Sequence, residues 1–91
     1  MKLFTVYDIK ADLYLTPFFE RNSVNAMRGF EQIVNDANTQ FSKYPADFGL
    51  YEIAEYDEEK GVVIPYEHNV RLALGSDFAR ISKPALTTVN A

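Results

Sequence analysis

The residues that could carry chemistry in this chain are few, and none is spaced as a catalytic set. His68 is the only histidine; it follows Glu67, but no serine, cysteine or second base is placed with it in sequence. The acidic run from Glu52 to Glu59 does not match a calcium loop, because Asp57 is not followed by acids at both the third and fifth positions together with glycine at the sixth. The four glycines stand alone and form no phosphate-binding loop. We therefore expect no enzymatic activity, no metal site and no cofactor.

Aromatic rings interleaved with basic residues form the second pattern, which is typical of single-strand nucleic-acid binding. Rings stack on unpaired bases, while lysine and arginine contact phosphates. A 91-residue chain without tryptophan also needs rings in its core, so a purely structural role stays the alternative. The candidates for nucleic-acid contact are Lys10, Tyr14, Phe18, Phe19, Arg21, Arg28, Phe41, Lys43 and Tyr44.

Net charge limits how such a surface would work. The chain carries −4 at pH 7, which counts against a binder that relies on bulk positive charge. The nine basic residues are spread along the sequence, whereas acids bunch between residues 52 and 59, so we expect one acidic end. The lack of cysteine fits a reducing compartment, and the N-terminal apolar run is too short for a signal peptide or a membrane span. A cytoplasmic protein without membrane contact is the expectation.

Periodicity predicts the elements of the N-terminal half. Residues 2–8 alternate with period two and predict a strand with Phe4 and Val6 inward. After a turn, residues 12–16 extend again until Pro17 ends the strand or places it at a sheet edge. The main helix follows an N-cap at Asn22 or Ser23 and closes at 36–38, with an apolar stripe of Val24, Met27, Phe30, Ile33, Val34 and Ala37.

The C-terminal half predicts a second hairpin. Residues 38–47 read as a polar loop, and residues 48–56 alternate as a strand. The run 57–61 is a hairpin loop in which Gly61 suits a positive φ. The returning strand, 62–64, is expected to stop at Pro65. Beyond it the sequence allows a short strand and a helical turn capped by Ser76.

These elements predict an α+β fold, in which two β-hairpins flank one main helix in the order ββαββ and the helix packs on an antiparallel sheet. Residues 1–82 are expected to form a single domain, and 83–91 a loose C-terminal tail or a partner-binding arm. Adjacent residues of an extended chain point to opposite sides. We therefore expect one ring of the pair Phe18 and Phe19 in the helix–sheet core, and the other outside, next to Arg21.

Three motifs, taken in order, resemble the small non-structural protein of gokushoviruses, single-stranded DNA phages of the Microviridae. They are KADLYLTPFFERN (10–22), AMRGF (26–30) and YPADFGLYEIAEYDEEKG (44–61). The similarity covers about residues 1–64 and lies in the order and spacing of the motifs. Thr16 stands where that family commonly has proline, and Ala54 where it commonly has glycine.

The resemblance implies a phage protein that is made in the cytoplasm of the infected bacterium and is absent from the finished shell. It implies single-stranded DNA binding in viral genome synthesis or packaging, and it favours exposure of Phe18, Phe19 and Arg21. A small acidic monomer makes few phosphate contacts, so we expect a homo-oligomer, a dimer or larger. The alternative is a protein-interaction module that docks onto a capsid precursor, the replication initiator or a host factor without touching DNA.

Overall fold

The computed structural model describes residues 1–79 as a five-stranded antiparallel sheet with one main helix. The strands are β1 (Lys2–Asp8), β2 (Leu13–Tyr14), β3 (Phe18–Glu20), β4 (Phe48–Asp57) and β5 (Val62–Leu74). The helices are α1 (Ser23–Val34) and α2 (Gln40–Lys43), with 3-10 turns at Pro45–Asp47 and Gly75–Asp77. The predicted α+β class is confirmed. The predicted domain boundary at 82 and the tail 83–91 lie outside the described residues.

The sheet is built around β1, which pairs with β4 along one edge and with both β2 and β3 along the other. The predicted strand 12–16 is wrong in detail, because regular pairing stops after Tyr14 and resumes at Phe18. Between the two strands, Leu15 N–H still donates to the Val6 carbonyl at 2.8 Å. Pro17 has no N–H to donate, so the ladder is interrupted there.

The core lies between α1 and one face of β1 and β4. Phe4 and Val6 point into it, as their alternation predicts. It is completed by Ala26, Phe30, Val34, Phe48, Leu50 and Ala79. The predicted helical stripe is wrong at its two ends, because Val24 and Ala37 are exposed.

Both ends of α1 are set by asparagine side chains. The N-cap prediction is confirmed at Asn22, whose Oδ1 accepts the N–H of Asn25 at 2.8 Å. The predicted end at 36–38 is too late, since α1 ends at Val34. There the Asn35 side-chain amide donates to the carbonyls of Glu31 and Phe78, both at 2.9 Å, which ties the helix end to the C-terminal turn.

The segment 38–47 was predicted as a loop and instead forms α2 and a 3-10 turn. Thr39 caps α2 by accepting the Ser42 N–H at 3.3 Å. Pro45 is the first residue of the 3-10 turn, where its missing N–H leaves no bond unmade. The short helix α2 therefore forms without hydrophobic periodicity, and the side chain of Thr39 caps its first turn.

The prediction that the last strand stops at Pro65 is wrong, because β5 runs on to Leu74. Proline is tolerated since β5 lies at the edge of the sheet. Pairing jumps from Ala54–Pro65 to Glu52–Val70, so residues 66–69 bulge opposite Ile53. The following turn is not capped by Ser76; the Asp77 carboxylate accepts the Leu74 N–H at 2.8 Å instead.

The predicted loop 57–61 is confirmed as the turn between β4 and β5. The Asp57 carboxylate accepts the N–H groups of Glu59 and Lys60, at 3.0 and 3.1 Å. Gly61 has φ of 68°, a conformation that other residues rarely adopt. No helix within residues 1–79 is long and apolar enough to cross a membrane.

Replacing Gly29 by alanine should stabilise the fold. Gly29 lies inside α1, and a Cβ there would meet no atom within 4 Å. Alanine gains about 1 kcal/mol over glycine in a helix interior. A gain of that size raises the Tm of a small domain by about 4–8 °C, which a thermal melt followed by circular dichroism measures.

The control for this variant is Gly75→Ala, where a Cβ would lie 2.4 Å from the Pro45 carbonyl oxygen. We expect that variant to melt lower than the wild type, because backbone on both sides must move. Equal effects of the two alanines would contradict the packing described for these glycines.

Candidate nucleic-acid interface

The sheet has a second face, on which no helix packs within residues 1–79. We call it the open face. It holds the side chains of β1 that alternate with Phe4 and Val6, together with their cross-strand partners. Its residues are Leu3, Thr5, Tyr7, Tyr14, Phe19, Tyr51, Ala54, Tyr56, Val63 and Arg71.

Three tyrosines from three strands pack together at one end of the open face. The ring centroids lie 4.5 Å apart for Tyr7 and Tyr14, 6.0 Å for Tyr7 and Tyr51, and 5.9 Å for Tyr14 and Tyr51. Gly49 leaves room beside them, since a Cβ there would lie 3.2 Å from the Tyr51 ring. Tyr14 is 51% exposed, so this tyrosine triad presents an aromatic surface to solvent.

A carboxylate orients one ring of the triad. The Tyr7 hydroxyl donates a hydrogen bond to Asp12 in the β1–β2 turn. Asp12 has φ of 57°, which aspartate and asparagine tolerate better than most residues. The hydrogen bond to Asp12, with burial and the Asp12 charge, raises the pKa of Tyr7 to about 12. The Tyr7 hydroxyl is therefore protonated at neutral pH.

A groove of about 490 Å³ continues from the triad along the open face. Tyr14 belongs to both the triad and the groove. The apolar part of the groove is lined by Leu3, Leu15, Pro17, Ala54, Val63 and Pro65. No charged side chain lines it, although the chain as a whole is acidic.

Phe18 and Phe19 lie on opposite sides of the sheet, as expected for adjacent residues of an extended chain. Phe18 pairs with Phe4 and stacks on its ring with centroids 5.9 Å apart, on the side of α1. Phe19 pairs with Leu3 on the open face, and its ring lies 5.3 Å from that of Tyr56. The expectation that one of the two rings lies in the helix–sheet core is wrong, because Phe18 is 36% and Phe19 48% exposed. Phe19 is thus the one on the same face as the triad.

The basic residue nearest the triad in the sheet is Arg71. It pairs with Tyr51 across β4 and β5, which places the two side chains on the same face. Arg71 is exposed and has no ion-pair partner among residues 1–79. Lys10 is exposed in the turn that leads to Tyr14. Two cations therefore flank the aromatic surface.

The remaining predicted residues lie elsewhere. Arg28 is exposed on α1, on the other side of the sheet, and Arg21 is exposed just before that helix. Phe41 is half-buried, with its ring 4.7 Å from that of Phe48 in a T-shaped contact, which gives it a role in packing. Lys43 and Tyr44 are exposed at the end of α2. The predicted residues thus do not share one surface, and only Tyr14, Phe19 and Lys10 lie on or beside the open face.

Sequence reasoning missed Tyr7, Tyr51 and Arg71. Period-two alternation places Tyr7 opposite Phe4 and Val6, but this signal does not reveal which face a helix covers. The pairing of Tyr51 with Arg71 depends on the bulges of β5, which shift its register. No pattern along the chain shows that shift.

The acidic cluster 52–59 lies mostly away from the tyrosine triad, whereas Asp12 contacts the triad through the Tyr7 hydroxyl. Glu52 is buried on the helix side, where Lys2 Nζ lies 3.2 Å from its carboxylate and the Tyr66 hydroxyl donates to it. Burial, and then this hydrogen bond, raise the pKa of Tyr66. Asp57, Glu58 and Glu59 lie at the 57–61 turn, about 20 Å from Tyr51 at the usual rise of a strand, and Glu55 lies within β4 opposite Lys2. Within residues 1–79, no group of three or more acidic, histidine or cysteine side chains could hold a metal ion.

Comparison with known proteins identifies one family. The family model described as Phage ORF5 protein matches residues 1–78. No curated protein and no solved structure matches the chain significantly.

Replacing Asp12 by asparagine should lower the pKa of Tyr7 from about 12 toward its ordinary value of 10.0, because the carboxylate that favours the protonated hydroxyl is removed. Asparagine keeps the backbone conformation accessible. Tyrosinate absorbance measured against pH follows this change. In the wild type the stability from this interaction is present below pH 10 and is lost as pH rises through about 12.

The Tyr7→Phe variant identifies the signal, since it removes the most alkaline phase of the titration. If wild type and Asp12→Asn titrate identically, the hydrogen bond does not hold Tyr7 in solution.

Proposed function

We propose that this chain, which belongs to the Phage ORF5 protein family and is therefore a bacteriophage protein, binds single-stranded DNA during synthesis or packaging of a viral genome. The motifs within residues 10–61 support placing it with the gokushoviruses of the Microviridae. We also propose that the protein acts in the cytoplasm of the infected bacterium and has neither enzymatic activity nor a cofactor.

The observation that supports DNA binding most is the combination of exposed rings and an arginine on a helix-free sheet face. Tyr14 offers an exposed ring held in place by Tyr7 and Tyr51, so little side-chain freedom is lost when a base stacks on it. Arg71 lies across from Tyr51 and is free to contact a phosphate. Sheets that bind single strands use this combination of stacking surface and cation.

The acidic net charge does not oppose this interface directly. The turn 57–61 lies about 20 Å along β4 from Tyr51, by strand rise. Charges are largely screened beyond about 8 Å at physiological salt. Asp12, which accepts from the Tyr7 hydroxyl, keeps its negative charge beside the triad, and the cations Lys10 and Arg71 flank the same surface. We therefore expect a bound DNA strand to run along the open face in the direction away from the acidic 57–61 turn.

Assembly into a homo-oligomer is part of the proposal, because one copy offers few cations to a DNA strand. Repeating the interface raises the effective concentration of sites. The free edge of β5 supports such assembly, since this strand pairs on one side only within residues 1–79 and exposes Ile64 and Val70.

A viral or host protein is the second candidate partner. The same exposed apolar residues on β5 favour it, since patches of this kind often mark protein interfaces. In that case the tyrosine triad would bind protein, and the chain would show no affinity for DNA.

Replacing Tyr14 or Arg71 by alanine should weaken binding to single-stranded DNA. Loss of one stacking ring costs about 1–3 kcal/mol, or about 5- to 150-fold in affinity. Fluorescence polarisation with a labelled thymidine oligonucleotide of about twelve residues at low salt measures the change.

Tyr44→Ala and Arg28→Ala are the matched controls. Tyr44 is 62% exposed and Arg28 is exposed on the helix side, so both remove the same side-chain types away from the open face. We expect both controls to bind within about twofold of the wild type. Loss of binding in the controls but not in the open-face variants would overturn the proposed interface, and no binding by the wild type would overturn the function.

Salt dependence tests how many phosphates each copy contacts. Two cations, Lys10 and Arg71, flank the triad, and each phosphate contact contributes about −0.7 to the slope of log K against log salt. A slope of about −1.4 per copy is expected, and Arg71→Ala should reduce its magnitude by about 0.7. An unchanged slope would mean that Arg71 does not touch the backbone of the DNA.

A further inference from the structure

The packing of residues 1–79 does not account for the groove on the open face. It measures about 490 Å³, within the usual range for small-ligand sites. Its floor is apolar and includes Ala54, which is almost fully buried, and Val63 forms part of its rim at 43% exposure. Tyr14 belongs to both the groove and the triad, so a DNA strand that crosses the triad would reach the groove next.

Four polar side chains line the groove, namely Thr5, Tyr14, Tyr66 and Asn69, and two of them are engaged within residues 1–79. The Thr5 hydroxyl donates to the Leu15 carbonyl at 2.6 Å, and the Tyr66 hydroxyl donates to Glu52. Asn69 lines the groove from the exposed 66–69 bulge, and its side-chain amide has no hydrogen-bond partner within residues 1–79. The Asn69 amide therefore offers its oxygen as an acceptor and its NH2 group as a donor at the rim.

We propose that this groove is a nucleobase pocket, in which one unstacked base of the bound strand lies against the apolar floor while its edge pairs with the Asn69 amide. This inference rests on the proposed DNA-binding function and specifies how the open face holds a base. The sugar and phosphate stay outside, toward solvent and Arg71.

The chemistry of the lining favours a base over other occupants. A phosphate is excluded, because no charged side chain lines the groove. An apolar side chain of a protein would fill the space without using the Asn69 amide. A base satisfies both parts, since it has flat apolar faces and an edge that both donates and accepts hydrogen bonds.

The experiment compares Val63→Glu with Val62→Glu in the polarisation assay, using the same thymidine oligonucleotide. The two residues are neighbours on β5 with similar exposure, 43% and 45%, but their side chains point to opposite faces. Both variants change the net charge equally, and only the one at Val63 places a carboxylate in the groove. We expect Val63→Glu to bind about tenfold more weakly and Val62→Glu to bind within about twofold of the wild type.

Asn69→Ala provides a second readout, because it removes the edge contact and leaves the groove empty. A loss of about fivefold is expected, equivalent to one hydrogen bond. In the complex, methyl groups of Leu3 and Ala54 should show nuclear Overhauser contacts to thymine protons. A thermal melt of each variant confirms that the fold is retained.

Failure of this inference is distinguishable from failure of the proposed function. If the wild type binds the oligonucleotide but both valine variants weaken it equally, or neither does, DNA binding stands and the base pocket is overturned. Absence of methyl–thymine contacts in a formed complex also overturns it. If the wild type binds no oligonucleotide, both proposals fall.

Discussion

One helix covers one face of a sheet that is longer than the helix, and the rest of the structure depends on this mismatch. The twelve residues of α1 extend about 18 Å, whereas the ten residues of β4 extend about 33 Å. The helix buries Phe4 and Leu50 against Phe30. It leaves the opposite face and the distal part of the hairpin without a helix. The aromatic residues of the open face must therefore pack on each other, and this packing produces the tyrosine triad.

Charge is distributed along the same long direction. The acids gather at the 57–61 turn, while Arg71 and Lys10 lie toward the other end of the strands. Glu52 is the exception, since it is buried beside Lys2 and Tyr66. A buried carboxylate needs such partners to offset the loss of water. An acidic chain can thus keep its densest cluster of negative charge away from the triad, where Asp12 is the carboxylate that contacts Tyr7.

Interruptions of the edge strands shape this face. On one side, the break at Pro17 divides the pairing of β1 between β2 and β3, and the Leu15–Pro17 segment becomes a wall of the groove. On the other side, the bulge at 66–69 carries Asn69 to the rim. Both interruptions lie at sheet edges, where lost ladder bonds are replaced by water. The same features that end regular pairing therefore create a groove in which the Asn69 amide lies beside Tyr14 and Tyr66.

The sequence by itself determined the α+β class, the inward side of β1, the Asn22 cap and the turn at Gly61, since each follows from residues close together in the chain. It also separated Phe18 from Phe19, because alternation is a local property of extended backbone. It did not reveal that Pro65 lies within a strand. A proline is tolerated in a strand at the edge of a sheet, and the order of strands in the sheet, which decides where the edges lie, cannot be seen in the sequence. The association of Tyr7, Tyr14, Tyr51 and Arg71 was decided by tertiary structure alone. Their proximity depends on register between strands distant in sequence, and two bulges shift that register without leaving a periodic signal.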